Sequence, residues 1–252
     1  MLVLKVVAEG LITSFRRPHF MQGIQPTFRM PPPATIYGHI CSAIGDLVPP
    51  DGLAFAYHFT AQAAFHDIEH THLVAGSSGK LPGTSHPKVL EGNINPFKRE
   101  LLFQPRLVLY LNRPEWIDSF RSPRYAVTLG RSQDLFTYIS AQNIELHQSE
   151  RAYFEHTLLP YTMAVQLGRG IVELLPRYLN YEHKRTPTFA RYLLLDHRVH
   201  SDEFWQIDAQ ATSYWVDPTT PLEKNLEREH EAHLGLVFHT FIGAENESLV
   251  LS

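Results

Sequence analysis

The sequence has little cysteine, no long apolar run and no strong excess of either charge. Cys41 is the single cysteine among 252 residues, so an internal disulfide and a zinc cluster of thiolates are both excluded. No apolar run approaches the roughly 18 residues that span a bilayer, and the N-terminus alternates in hydropathy instead of presenting a cleavable apolar segment. We therefore expect a cytoplasmic protein that makes no contact with membranes.

Charge is unevenly distributed along the chain. The net charge of −4 argues against a nucleic-acid binder when the chain is taken whole. Residues 1–132, however, carry 13 Lys and Arg against 9 Asp and Glu, whereas residues 133–252 carry 9 against 17. Such asymmetry indicates nucleic-acid contact by the first part, although solvated surface charge explains many such imbalances.

Size and hydropathy periodicity predict an α+β fold. With 44% apolar residues the chain can bury a full core, as one large domain or two small ones. The predicted order β-α-β-β-α-β is typical of a ferredoxin-like domain with an insertion. The predicted elements are a strand over 2–12, a helix over 34–47, a strand-like run over 53–74, a loop over 75–100, a strand over 101–112, a short helix near 114–121 and a strand over 136–146.

A basic, aromatic loop leads directly into the first helix. Pro31, Pro32 and Pro33 confine the start of that helix to the vicinity of Pro33 or Ala34, because proline has no N–H and disfavours helix in the residue before it. Free N–H groups at a helix start attract anions, and phosphate is the anion that we expect here. The predicted donors are the N–H groups of Ala34, Thr35 and Ile36, and the loop supplies Arg16, Arg17 and Arg29.

Four pieces of this chain, taken in order, carry a family resemblance. They are Phe15 with its loop, Pro33-Ala-Thr-Ile-Tyr-Gly38, the insertion ending Phe97-Lys-Arg-Glu100, and Tyr125-Ala-Val-Thr-Leu-Gly-Arg-Ser-Gln-Asp-Leu135. Their order and spacing resemble the Cas five family of CRISPR-associated proteins, in the RAMP superfamily. The likeness covers roughly residues 1–150.

The resemblance implies a fold, a role and partners. The fold is a ferredoxin-like, RNA-recognition-motif-like domain over 1–150 with a β-hairpin thumb at about 75–100, followed by a β-rich C-terminal extension or smaller subdomain over 151–252. The role is to hold the 5′ handle of the CRISPR RNA (crRNA) in a type I Cascade complex, without catalysis and without a cofactor. The implied partners are the backbone subunit, the large subunit that reads the PAM, and target DNA near the PAM.

The resemblance also indicates which residues meet RNA. Single-stranded RNA is recognised by stacking bases on aromatic rings or guanidinium planes, while cations and backbone amides position phosphates. Phe28 or Phe20 would stack a base, or else would anchor the loop to the core. The residues expected to bind RNA are Arg16, Arg17, Phe28, Arg29, Thr35, Ile36, Tyr37, Lys98 and Arg99.

The segment Leu129-Gly-Arg-Ser132 has two interpretations. Gly130 would supply a positive φ at a turn while Arg131 pairs with Asp134, or the segment would contact the RNA backbone. The apolar stretch Leu234-Gly-Leu-Val-Phe-His-Thr-Phe-Ile242 also has two interpretations. It is a plain buried strand, or it completes the core and offers a protein interface.

Two enzymatic alternatives remain open. On a strand His66, His70 and His72 share a face, so they would chelate zinc for a hydrolase, with Glu69 on the other face. Some relatives in the family are metal-independent endoribonucleases that cleave CRISPR repeat RNA by general acid–base chemistry. Their candidates here are Tyr37, His39 and either Lys98 or His19. Cys41 is expected to be a small buried thiol, not a nucleophile.

Overall fold

The computed structural model describes residues 1–20, 23–204, 213–225 and 230–243. Most of the regular structure in these ranges is β-strand, accompanied by a few short helices, so the predicted α+β class is confirmed. Parts of the predicted C-terminal extension, at 205–212, 226–229 and 244–252, lie outside the described residues. No helix in the described ranges has the length and apolar character needed to cross a membrane.

The elements follow one another along the chain in short segments. The strands are β1 (Leu2–Gly10), β2 (Ile12–Thr13), β3 (Ile24–Gln25), β4 (Ala54–Thr60), β5 (Ala63–Gly76), β6 (Leu90–Phe103), β7 (Arg106–Leu111), β8 (Phe136–Glu145), β9 (His147–Ser149), β10 (Ala152–Phe154), β11 (Thr157–Pro160), β12 (Ile171–Asn180), β13 (Thr186–Leu195), β14 (Val199–His200), β15 (Tyr214–Asp217), β16 (Glu223–Asn225), β17 (His230–Leu236) and β18 (His239–Thr240). The α-helices are α1 (Pro33–Ile44), α2 (Ile117–Arg121) and α3 (Tyr161–Leu167), and 3₁₀ turns cover Pro114–Trp116 and Ser201–Glu203.

Four strands from the first part of the chain and β18 from its C-terminal part build a five-stranded antiparallel sheet. Its strand order is β18-β4-β7-β1-β8, with Leu4 of β1 opposite Leu111 of β7 on one side and Asn143 of β8 on the other. Helix α1 lies between β1 and β4 in the chain, and α2 lies between β7 and β8. The strand predicted over 136–146 and the short helix near 114–121 are present. The strand predicted over 2–12 is divided, because β1 ends at Gly10 and β2 begins at Ile12 in a different sheet.

Both faces of this sheet are covered. Because side chains alternate along a strand, Leu4 and Val6 of β1 join one apolar cluster with Ile36 and Ile40 of α1. Val3 joins a second cluster that contains residues of the C-terminal sheet, among them Leu234. The first cluster also includes residues beyond position 150 (Leu158, Leu175, Ala190, Tyr192, Leu194 and Phe241). The division of the chain at residue 150 stays a prediction.

Helix α1 starts where the prolines indicate but ends earlier than expected. It begins at Pro33, as predicted, and it ends at Ile44 because Gly45 adopts a left-handed φ of 91°. Leu47, the last residue of the predicted helix, lies beyond the end of α1 and is 54% exposed, so the predicted end of the helix is wrong.

The strand-like run predicted over 53–74 is two strands. Strand β4 ends at Thr60 in the five-stranded sheet, and β5 begins at Ala63 in a different sheet, with β2, β3 and β6. The chain leaves the first sheet at Ala61 and Gln62, where the Gln62 N–H donates to the Phe103 carbonyl at 2.9 Å. Apolar periodicity continues across this break, so the sequence alone did not reveal it.

Half of the loop predicted over 75–100 is strand, because β5 ends at Gly76 and β6 begins at Leu90. Strand β6 spans Leu90–Phe103 and pairs with β5 along its whole length, from Ala63 opposite Phe103 to Gly76 opposite Leu90. The many glycines and prolines suggested a loop, but Pro96 lies where β6 pairs with β5 on one side only, and an edge position tolerates a missing N–H. The predicted strand over 101–112 is likewise divided, because β6 ends at Phe103 and β7 begins at Arg106.

The C-terminal part adds two further sheets. One has the order β14-β10-β17-β15-β9, with β16 beside β17, and the other has the order β11-β13-β12. The stretch 234–242 is not one strand, since β17 ends at Leu236 and β18 pairs with β4 through His239 opposite Phe55. Its large apolar side chains Leu234, Leu236, Phe238 and Phe241 are buried, which favours the interpretation as core.

Candidate nucleic-acid interface

The start of helix α1 is held by its prolines. Pro31, Pro32 and Pro33 are buried, and the Tyr57 hydroxyl donates to the Pro31 carbonyl at 2.8 Å. The N–H groups of Thr35 and Ile36 donate to the Pro32 carbonyl at 2.8 and 3.1 Å. Two of the three backbone donors predicted to face an anion are therefore engaged inside the first turn of the helix.

A cleft of about 350 Å³ lies beside this first turn. The N-terminal loop forms one wall through Phe15 and Arg16, and the helix forms the floor with Thr35 and Gly38. A second wall is the turn containing Thr128 and Gly130. The third wall comes from the C-terminal part, through Pro176, Leu179, Tyr181 and Arg185. The cleft therefore joins three segments that are far apart in sequence.

The wall at Gly130 is a tightly built turn. Gly130 has a φ of 109°, and a Cβ there would lie 2.4 Å from the Thr13 hydroxyl, so only glycine fits. The buried Asp134 carboxylate accepts from the Ser14 N–H at 3.1 Å and from the Arg131 guanidinium at 2.7 Å. The structure contains both features of the first interpretation given for this segment, the positive φ at Gly130 and the pair between Arg131 and Asp134.

The three predicted loop cations differ in their surroundings. The Arg17 guanidinium forms an ion pair with Glu173 on β12 and lies 4.7 Å from the centroid of the Phe28 ring. Arg29 is exposed and lies 3.6 Å from the Glu100 carboxylate. Arg16 is exposed, lines the cleft and has no ion-pair partner in the described part of the chain. Of the three, Arg16 is therefore the cation best placed to meet a ligand.

Three predicted RNA-binding side chains lie in the core. Phe28 is only 4% exposed, and Ile36 and Tyr37 are also buried. The Tyr37 hydroxyl donates to the Val48 carbonyl, and burial raises the pKa of Tyr37 well above its usual value. Stacking of a base on Phe28 is not available in this conformation, because the ring anchors the loop instead. Thr35 is half buried and does line the cleft, and Phe20 is exposed.

Lys98 and Arg99, the two basic residues predicted to bind RNA at the base of the hairpin, differ in exposure and in contacts. Lys98 is exposed, and its N–H donates to the Gly23 carbonyl at 2.8 Å. Arg99 is 7% exposed, forms an ion pair with Glu69 and lies 5.0 Å from the centroid of the Phe97 ring. Arg99 therefore stabilises the base of the hairpin, and only Lys98 is accessible to RNA.

Glu69 joins the hairpin to the turn at Gly130. Besides Arg99, its carboxylate pairs with Arg131 at 3.2 Å, and Arg131 also binds Asp134. This network of alternating charges neutralises both guanidinium groups. It fixes the base of the β5–β6 hairpin against the wall of the cleft.

The histidines considered for zinc lie on the exposed hairpin. The ring centroids of His70 and His72 are 6.4 Å apart. Within the described ranges, no three His, Cys, Asp or Glu side chains stand close enough to hold a metal ion. Glu69, the carboxylate predicted on the other face of the strand, forms ion pairs with Arg99 and Arg131.

The residues considered for RNA cleavage are not presented to solvent as a group. His39 is buried, its Nδ1 lies 2.9 Å from the Thr128 carbonyl, and the Tyr138 hydroxyl lies 3.0 Å from its Nε2. Burial lowers the pKa of His39, so the ring is neutral, donating from Nδ1 and accepting at Nε2. His19 is exposed on the loop. Cys41 is buried as expected, and burial raises the pKa of its thiol.

The sequence analysis missed the C-terminal wall of the cleft. Tyr181 and Arg185 belong to the turn between β12 and β13, in a region where no motif was recognised. The available signal was the basic stretch His183-Lys-Arg185, which comes two positions after the aromatic residue Tyr181. Nothing in the local sequence indicated that this turn packs beside the start of α1.

Comparison with known proteins gives likeness at the level of structure only. No family model matches the sequence, and no curated protein matches it. The chain is similar to a chain of a CRISPR RNA-guided surveillance complex, at 13% identity and a TM-score of 0.48, over 79% of this chain and 89% of that one.

Two other solved structures show a weaker likeness. The chain is similar to a CRISPR protein from Archaeoglobus fulgidus, at 12% identity and a TM-score of 0.40, over 79% of this chain and 91% of that one. It is also similar to a chain of the type III-B Cmr-beta complex bound to cognate target RNA, at 13% identity and a TM-score of 0.40, over 79% and 86% of the two chains. The function of this chain is therefore inferred from its own residues.

Proposed function

We propose that this chain is an RNA-binding subunit of a type I CRISPR interference complex, of the Cas five family, and that it holds the 5′ handle of the crRNA without cutting it. The observation that carries the proposal is the cleft at the start of α1. It combines an exposed arginine, Arg16, which has no ion-pair partner among the described residues, with the Thr35 side chain and with apolar walls. These groups suit the phosphate and base of an unpaired nucleotide.

The order of elements supports the family assignment. The segments β1, α1, β4, β7, α2 and β8 follow the β-α-β-β-α-β order, and β4-β7-β1-β8 are antiparallel neighbours. This order and pairing support the proposal of a ferredoxin-like domain. The face of the sheet that carries RNA in open domains of this kind is covered here by the C-terminal sheet, so RNA is assigned to the cleft beside α1.

The β5–β6 hairpin corresponds to the thumb. It comes between the second and third strands of the domain, and β5 is exposed along nearly its whole length. Exposed apolar side chains of this density mark a protein interface. They include Ile68, Leu73, Val74, Leu81, Val89, Leu90 and Ile94. We assign this surface to the backbone subunit of the complex and Lys98, at the hairpin base, to the RNA.

The remaining partners follow from the family resemblance. A subunit that holds the 5′ handle stands at the end of the complex where the large subunit reads the PAM. The large subunit and the target DNA near the PAM are therefore proposed as neighbours of this chain.

Co-expression with the proteins encoded beside it tests the proposal. The tagged chain should co-purify with these proteins, and sequencing of the bound RNA should return CRISPR repeat ends. Incubation with labelled repeat RNA separates binding from cleavage, because a binder protects the handle whereas an endoribonuclease leaves a defined cut. Absence of repeat RNA from an assembled complex would contradict the proposal.

Arg16→Ala and Arg17→Ala form a matched pair for the purified chain. If Arg16 contacts a phosphate, its loss should reduce the slope of log K against log salt by about 0.7. Arg17→Ala should leave that slope unchanged and lower stability instead, since Arg17 is bound to Glu173 and packs on Phe28. Equal salt slopes for wild type and Arg16→Ala would remove Arg16 from the interface.

A further inference from the structure

The turn between β12 and β13 places an aromatic ring and a guanidinium group together at the cleft. The guanidinium carbon of Arg185 lies 5.4 Å from the centroid of the Tyr181 ring, and both residues line the cleft. The Tyr181 ring is in turn 6.3 Å from the ring of Tyr37, which is buried. The pair is thus anchored to the core on one side and borders open space on the other.

The backbone of this turn is fixed in an uncommon conformation. Lys184 and Arg185 have left-handed φ values of 54° and 57°, which residues other than glycine seldom adopt. The Asn180 side-chain oxygen accepts from the N–H groups of Glu182 and His183 at 3.0 and 3.2 Å. Two successive residues held in this conformation turn the chain back, so that Arg185 returns over Tyr181.

The charges around the cleft are unbalanced. Arg16 and Arg185 both line it, and in the described ranges neither has an ion-pair partner. Pro176 and Leu179 add apolar surface beside them. Two exposed cations next to an aromatic ring and apolar side chains suit a ligand that is both planar and anionic.

The size of the cleft limits that ligand. A volume of about 350 Å³ lies near the lower end of the range for small-molecule sites, about 300–1,000 Å³. Such a space accepts one nucleotide unit and excludes a base-paired duplex. Guanidinium planes and aromatic rings are the surfaces on which unpaired RNA bases stack.

We infer that Tyr181 and Arg185 form a stacking platform for one unpaired base of a single-stranded RNA, with Arg16 on the adjacent phosphate. This inference rests on the proposed function, because it specifies how the same cleft takes its RNA. It also gives the C-terminal part of the chain a direct role in binding. The ligand is a nucleotide unit within an RNA strand, and a free nucleotide is the competing source of the same chemistry.

Lys184 and Arg185 provide a matched pair of variants for the test. They are adjacent, basic and exposed, and they share the left-handed backbone, but only Arg185 lines the cleft. Binding of a short fluorescein-labelled single-stranded RNA of mixed sequence to the purified chain is followed by anisotropy. Arg185→Ala should raise the Kd by about 5- to 150-fold, whereas Lys184→Ala should change it by less than about twofold.

Arg185→Lys separates stacking from charge. Lysine keeps the positive charge but lacks the planar guanidinium, so it should restore the salt dependence of binding but only part of the affinity. Photo-crosslinking with RNA containing 4-thiouridine should attach the base to the peptide that carries Tyr181. Because Tyr181 is also packed against the core, the Arg185 variants decide the question and Tyr181 is followed by crosslinking only.

The outcomes distinguish the inference from the proposed function. If the wild-type chain binds RNA and Arg185→Ala binds equally well, the platform is wrong and the proposed function stands. Equal losses of RNA affinity in Lys184→Ala and Arg185→Ala would mean that the turn contributes only positive charge, and this result would also overturn the platform. If AMP or UMP binds more tightly than the RNA, the inferred ligand is wrong and the cleft binds a free nucleotide instead of an RNA strand. Failure of the wild-type chain both to bind RNA and to assemble would overturn both proposals.

Discussion

The N-terminal loop, described at residues 14–20 and 23–30, and the β5–β6 hairpin (Ala63–Phe103) show opposite relations between composition and exposure. The loop is basic and aromatic, yet Phe15 and Phe28 are buried and Arg17 is bound to Glu173. The hairpin carries apolar residues that are exposed instead, such as Ile94 at 62%. Residue type alone thus gives a poor account of what each segment contacts. The loop works mainly as a wall of the cleft, and the hairpin works as an external surface.

The largest expected effect is the difference in the free energy of unfolding between truncation of a buried apolar side chain in the loop and truncation of an exposed one in the hairpin. Phe28→Ala should lower the free energy of unfolding by about 3–5 kcal/mol, because Phe28 belongs to the main apolar cluster. Ile94→Ala, on the hairpin, should change it by less than about 0.5 kcal/mol. Urea unfolding of both variants measures the difference, and equal values would mean that the loop is not anchored by its aromatic residues.

Glycines with a positive φ allow the same comparison for the backbone. Gly130→Ala, at the wall of the cleft, should lower the free energy of unfolding by about 2–4 kcal/mol, since strain and overlap with Thr13 add together. Gly83→Ala is the control, because Gly83 has a φ of 74° but open space around its Cβ in the hairpin connection. It should cost about 1 kcal/mol from strain alone. Thermal melting compares the two, and a similar loss in both would show that the turn at Gly130 can relax.

The titration of His239, a buried residue, provides a third test, because it reports whether this ring is shielded from water in the folded protein. Burial lowers the pKa of His239 to about 4, although its Nε2 lies 2.9 Å from the Leu158 carbonyl. His239 binds a proton more readily in the unfolded chain than in the folded one. The stability gained by burying the neutral ring is therefore fully present above the pKa that His239 has in the unfolded chain. It is lost as the pH falls towards the pKa that His239 has in the folded chain. From about pH 7.5 to about pH 5 the loss should be about 2 kcal/mol.

His239→Gln isolates this contribution. The amide keeps a donor for the Leu158 carbonyl but does not titrate, so the variant should lose about 2 kcal/mol less than wild type over the same pH interval. Urea unfolding at the two pH values gives both numbers. Parallel pH profiles for variant and wild type would mean that the ring is not buried in the neutral form.

Removal of the hairpin itself is expected to have only a small effect on stability. Replacing residues 71–95 by a short Gly-Ser turn removes side chains that are exposed or partly exposed, and it keeps Glu69 and Arg99 at the base. The free energy of unfolding should change by less than about 1 kcal/mol. Retention of guide RNA and of the backbone subunit, measured by co-purification, should be lost. An unfolded product, or assembly at the wild-type level, would each contradict the assignment as a thumb.

Local rules in the sequence predicted local features of this fold. The start of α1 at Pro33 follows from the missing N–H groups of three prolines, and the positive φ at Gly130 follows from its turn. The partners of the charged residues could not be predicted in this way. Glu173 lies 156 residues from Arg17, and Glu69 lies 30 residues from Arg99, so their ion pairs exist only once the sheets have assembled.

The same limit applies to the candidate site. Sequence reasoning identified Arg16 and Thr35, which line the cleft, and also Phe28, Ile36 and Tyr37, whose side chains are buried. Composition gives no measure of burial, so the two groups looked alike. Tyr181 and Arg185 were missed because the β12–β13 turn meets the start of α1 only in the folded chain.

Gly38 offers the most direct test of the claim that RNA binds in the cleft beside α1. It lines the cleft from within the helix, and a Cβ there would meet no atom within 4 Å. Gly38→Ala should therefore stabilise the protein by up to about 1 kcal/mol, which shows that the position accepts a side chain. Gly38→Glu and Gly38→Gln then place groups of nearly equal size in the cleft, one charged and one neutral.

The decisive measurement is the Kd of these two variants for the same labelled single-stranded RNA. The account predicts that Gly38→Glu binds at least about tenfold more weakly than Gly38→Gln, because a carboxylate beside the bound phosphate repels it at short range. Both variants should melt no lower than wild type. Equal and undiminished binding by Gly38→Glu and Gly38→Gln would contradict the placement of RNA in this cleft.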